Sequence, residues 1–70
     1  MSAFSARVYE VLELYTVSPW NVLKVECGWR GIDALDMEPA QLEPLVASLG
    51  AHVARMTDDE NGIDLMRSLR

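Results

Sequence analysis

The stretch Val22-Leu23-Lys24-Val25-Glu26-Cys27-Gly28-Trp29-Arg30-Gly31 can be read in two ways, and the fold class turns on which one holds. Leu23, Val25, Cys27 and Trp29 alternate with Lys24, Glu26, Gly28 and Arg30, the period-two pattern of a half-buried strand. A helix fits the same residues: Trp20, Leu23 and Cys27 fall on one helical spacing, and Val22, Val25 and Trp29 on another. Just upstream, Ser18-Pro19 sets a serine cap before a proline at the first helical position. The tetrad Ser18-Pro19-Trp20-Asn21 also suits a type I turn. Gly28 and Gly31 would each weaken a continuing helix by about 1 kcal/mol. The reading adopted is a short helix over residues 19–27 that breaks near Gly28 to Gly31.

Toward the N-terminus, Phe4, Val8, Val11, Leu12 and Tyr15 recur at spacings of three and four. This predicts a helix over residues 3–15 with Ser2 or Ser5 as its cap. Val8, Tyr9, Val11 and Tyr15 suit a strand as well, but the periodicity favours the helix.

Toward the C-terminus, Leu42, Leu45, Val46, Leu49, Val53 and Met56 form one helical stripe, flanked by Ala47, Gly50, Ala51 and Ala54. Pro44 is tolerated in a first turn, so a helix is expected over residues 40–56, preceded by a short turn or helix within residues 33–41. The rival reading caps this helix with Gly50 and makes residues 51–56 a strand. Thr57-Asp58-Asp59-Glu60 has the capping-box spacing. Acids at its start and Arg67 and Arg70 at its end suit the dipole of a helix over residues 58–69. Read as a hairpin turn, Asn61-Gly62 would set Leu65 against Asp58 and Ile63 against Glu60, which are poor cross-strand pairs. The expected fold is therefore an all-α bundle of about four short helices, near residues 3–15, 19–27, 40–56 and 58–69. The alternative is α+β, with strands near residues 22–29, 51–56 and 63–69.

Seventy residues make one domain, and at this size hydrophobic gain and ordering entropy nearly cancel. Half the residues are apolar, which argues against disorder. No apolar run approaches the roughly 20 residues of a membrane helix. No basic segment followed by an apolar core opens the chain, so no secretory leader is expected. The net charge of −5 argues against nucleic-acid binding, and its placement is uneven. Residues 1–30 carry three acids (Glu10, Glu13, Glu26) and three bases (Arg7, Lys24, Arg30), while residues 31–70 carry eight acids and three bases. A single cysteine, Cys27, rules out an intrachain disulfide, and with the single histidine, His52, it cannot close a four-ligand zinc site. These features point to a cytoplasmic chain with a reduced thiol, without cofactor or metal.

No catalytic constellation stands out, and the chain is not expected to be an enzyme. Cys27 and His52 are a nucleophile and a base in type, but no glycine-rich oxyanion loop accompanies them. The acids between Asp58 and Asp64 lack the alternation and the distal glutamate of a calcium loop. Gly28-Trp29-Arg30-Gly31 has the wrong spacing for a dinucleotide fingerprint. A helix-turn-helix around Gly28 would turn Asp33 and Asp36 toward phosphate. Tryptophan, methionine and arginine are over-represented in interface cores, so Trp20, Trp29, Arg30 and Met37 are the candidate partner-binding residues. A small, apolar, unstapled chain gains stability by self-association. The candidate homodimer seam is the stripe Leu42, Leu45, Leu49, Val53 and Met56, or else the N-terminal helix. The expected function is a protein-binding adaptor, inhibitor or regulator, or assembly chaperone, acting as a homodimer. Two other readings are an acidic mimic of nucleic acid that blocks a basic groove, and a small α+β subunit with a site at a dimer interface.

Overall fold

A computed structural model describes residues 1–70 as four α-helices with no strand. They are α1 (Ala3–Glu13), α2 (Pro19–Gly28), α3 (Glu43–Met56) and α4 (Asp59–Leu69), with a single 3₁₀ turn at Pro39–Gln41 leading into α3. The all-α expectation holds, and the three segments of the α+β alternative lie within helices, save Trp29 at the cap of α2. None of the helices is long and apolar enough to cross a membrane.

The ambiguous stretch is helical because its alternating apolar residues divide between two faces. Leu23 and Cys27, four residues apart, are buried, whereas Val25 and Trp29, also four apart, are exposed. The helix stops where Gly31 takes φ +66°, a left-handed conformation that suits glycine. Around it the Ile32 N–H donates to Cys27 O (3.0 Å) and the Gly31 N–H to Gly28 O (3.3 Å). This paired 6→1 and 5→2 arrangement is a Schellman stop, and Ile32, the residue after the glycine, folds back against the core.

The other ends have equally local causes. Ser2 caps α1 by accepting the Ser5 N–H at 3.1 Å. Ser5, the other candidate cap, is instead fully buried, and its hydroxyl accepts the Met37 N–H at 2.8 Å. The capping box expected at Thr57 does not form, and a simple side-chain cap one residue later takes its place. Thr57 closes α3, its hydroxyl donating to Val53 O at 2.9 Å, and Asp58 caps α4 by accepting the Asn61 N–H at 2.8 Å.

The core gathers Val8 and Leu12 of α1, Val22, Leu23 and Cys27 of α2, Leu45, Leu49 and Val53 of α3, and Leu65 of α4, with Met37 plugging in from the loop. This corrects two expectations. Leu45, Leu49 and Val53 are each 0% exposed within one chain, so the stripe on α3 is covered by other elements of the same chain, α4 and α2 chief among them, and is no free dimer seam. Leu42 at one end is partly covered, and only Met56 at the other is exposed. Met37 is likewise buried and not a surface anchor. The folded chain exposes 4273 Å², against roughly 4,400 Å² expected of a compact monomer of this size, so the core closes without a second copy.

Candidate functional site

Helix α2 carries two arrangements that the core does not require. The first is its outer face. Val25 and Trp29 stand on consecutive turns and are 45% and 80% exposed. Gly28 lies beside them with nothing within 4 Å of where a side chain would begin, leaving a shallow depression bordered by Asn21 and Lys24. Lys24 is exposed and makes no ion pair. A tryptophan so placed holds a large apolar surface in water, and its indole N–H is free to bond a partner.

The second arrangement faces α3. Glu26 is buried although charged. Its Oε2 lies 2.8 Å from His52 Nδ1, and its Oε1 lies 3.6 Å from Arg30 Nη1. Arg30 Nη1 also donates to Glu26 O at 3.1 Å, and Nη2 donates to the Ser48 hydroxyl. Ser48 and His52, one turn apart on α3, thus meet Glu26 of α2 and Arg30 just past its end. Each buried polar side-chain atom has a partner, as a charge removed from water requires. The four residues form a clamp between helices.

The predicted partner-binding residues therefore separate. Trp29 is exposed and unengaged. Trp20 is partly buried and packs against the core, Arg30 is turned into the clamp, and Met37 is internal, its Sδ 3.9 Å from Cys27 Sγ. The nucleophile–base pairing weighed for Cys27 and His52 does not form. His52 bonds Glu26, while burial pushes the Cys27 thiol above its ordinary pKa, Arg30 lowers it, and Asp33 and Glu26 add to the rise. A thiol so disposed is a poor nucleophile. No group of three or more His, Cys, Asp or Glu side chains is placed to hold a metal ion.

Sequence reasoning missed Glu26, Ser48 and Val25. Val25 carried a usable signal, since its spacing of four from Trp29 was visible. No family model matches this chain, nor does any curated protein or any solved structure.

Proposed function

We propose that this chain is a small protein-interaction module whose contact surface is the outer face of α2, with Trp29 as its anchor. The observation that carries this reading is the 80% exposure of Trp29 one helical turn from the exposed Val25. Tryptophans at the centre of an interface carry a disproportionate share of binding energy. A helix presenting two apolar residues four apart is suited to a hydrophobic groove on a partner. Lys24, free of an internal partner and bordering the patch, pairs with an acidic rim around such a groove. The clamp behind the face holds α2 against α3, so the helix is presented as a rigid body and little ordering entropy is lost on docking. With the α3 stripe covered, the faces left for a homodimer are this α2 face and the N-terminal helix.

The test uses the protein and its Trp29→Ala variant as baits in extracts of the native host, with Arg67→Ala as an exposed control. Light scattering of the free protein separates a second copy from a different partner. A partner retained by the protein and the control but lost with Trp29→Ala supports the reading. Identical partner sets for all three baits overturn it.

A further inference from the structure

A second feature lies away from α2, in a groove between α1 and the last turn of α4. Its apolar lining is Phe4, Val8 and Val11 of α1, Leu42 before α3, and Leu69 of α4. Its polar lining is Arg7, Arg70 and the Ser68 hydroxyl, which the Tyr15 hydroxyl meets at 3.1 Å. No carboxylate side chain lines it. That is unusual in a chain with eleven acids and six bases, since two of the six bases flank one groove of mixed lining. Arg7 makes no ion pair, and Arg70 has only a loose one, its Nη2 3.8 Å from Glu43 Oε1 with both side chains largely in solvent. Such exposed pairs hold little energy and are readily exchanged.

We propose that this groove is a binding site for an aliphatic carboxylate of short to medium chain length. The hydrocarbon tail lies along Val8, Val11, Leu42 and Leu69, and the carboxylate is taken by the guanidiniums of Arg7 and Arg70, whose planar forks match it. The volume sets the size class. The groove holds about 220 Å³, below the ~300–1,000 Å³ of pockets that enclose drug-sized ligands. A single short chain fits this space. The site is independent of the α2 face and of whatever binds there.

The probes are octanoate, acetate, 1-octanol and octylamine, titrated into the folded protein and followed by backbone amide shifts. Octanoate gives saturable shifts centred on Val8, Val11 and Leu69. Acetate lacks the tail, octanol lacks the charge and octylamine reverses it, so each binds at least about tenfold more weakly, the scale of one charged hydrogen bond. Arg7→Gln lowers octanoate affinity about tenfold. Arg55→Gln, the same charge change on α3, leaves it unaltered. The proposal is overturned if octanol or octylamine matches octanoate, if the two arginine variants lose equally, if the shifts centre on Trp29, or if octanoate does not saturate.

Discussion

Gly50 of α3 and Gly62 of α4 meet backbone to backbone. A Cβ placed on Gly62 would stand 2.5 Å from Gly50 O and 2.9 Å from Ala54 Cβ, and one placed on Gly50 would stand 3.0 Å from Gly62 O. The two helices are joined by Thr57 and Asp58 alone, and their missing side chains let them lie against each other along their length. Each glycine costs a helix interior about 1 kcal/mol relative to alanine. The close approach, which brings Leu65 onto the core, offsets that cost.

This contact fixes the sign of a substitution that propensity alone would get backwards. Gly62→Ala raises helix propensity yet forces a methyl group into backbone atoms that cannot move aside. We expect a net loss of about 1–3 kcal/mol, the range for overpacking. Thermal unfolding followed by circular dichroism reads this as roughly 4–8 °C per kcal/mol. Gly50→Ala loses less, because its nearest neighbours are Met66 Cγ and Sδ, the far end of a flexible side chain. An unchanged or raised Tm for Gly62→Ala would mean that the helices do not approach this closely.

Ser5 pins the long loop to α1. Its hydroxyl accepts the Met37 N–H, while Ser2 donates through its hydroxyl to Met37 O (3.1 Å) and through its backbone N–H to Leu35 O (2.7 Å). Ser5→Ala leaves the buried Met37 N–H without a partner, a loss of about 1–3 kcal/mol. Hydrogen exchange at Met37 should accelerate in this variant by more than at the α3 amides. Equal acceleration throughout would show only global destabilisation and no local pin.

The four helices were legible in the sequence because each carries its own periodicity and its own stop. What lay beyond reach was what each residue faces. Leu45, Leu49 and Val53 announce a buried face, but an apolar stripe does not say whether the covering surface belongs to the same chain. Gly50 and Gly62 fall inside the expected helices but also admit rival readings as a cap and a turn residue, since a glycine that exists for a neighbouring backbone looks the same in sequence as one that ends a helix. Glu26 belongs to a residue type that is exposed by default. Its partner His52 lies 26 positions away, beyond any local pattern.

The two faces of α2 predict opposite responses to truncation. Leu23 is 0% exposed, and Leu23→Ala should cost about 2–5 kcal/mol. Trp29→Ala removes a larger side chain from solvent and should change stability by no more than about 0.5 kcal/mol. Urea unfolding of both variants tests the comparison. A large loss for Trp29→Ala would place the indole in the core and withdraw the anchor role proposed for it.

Glu26 and His52 should be energetically coupled across the α2–α3 interface. Removing one partner leaves the other with an unmet hydrogen bond, so Glu26→Ala and His52→Ala each destabilise, and the double variant loses less than their sum. A double-mutant cycle isolates the pair. The expected coupling is about 0.5–3 kcal/mol, the range for residues in one polar network. Additive losses would mean that the 2.8 Å contact adds nothing to the clamp.

Cys27 gives the chain an alkaline weakness whose sign follows from its surroundings. Burial is the main cause that holds its thiol pKa above the ordinary value, and the charges of Asp33 and Glu26 add to the rise against the opposing pull of Arg30. The unfolded chain therefore releases this proton at lower pH than the folded one. The native state binds more protons in that window, so stability falls as pH rises. The contribution is intact below the unfolded thiol's pKa of about 8.5 and is lost as pH climbs through the folded value. Cys27→Ala removes the titrating group, at the cost of some packing, and should flatten the stability profile across this alkaline range relative to the parent protein. Alkylation gives a second readout, since the thiolate is the reactive form and Cys27 is 1% exposed. Iodoacetamide should modify the folded protein far more slowly than the urea-unfolded chain. Parallel pH profiles for the two proteins, or equally fast alkylation of folded and unfolded chains, would show that the thiol is not held in the core.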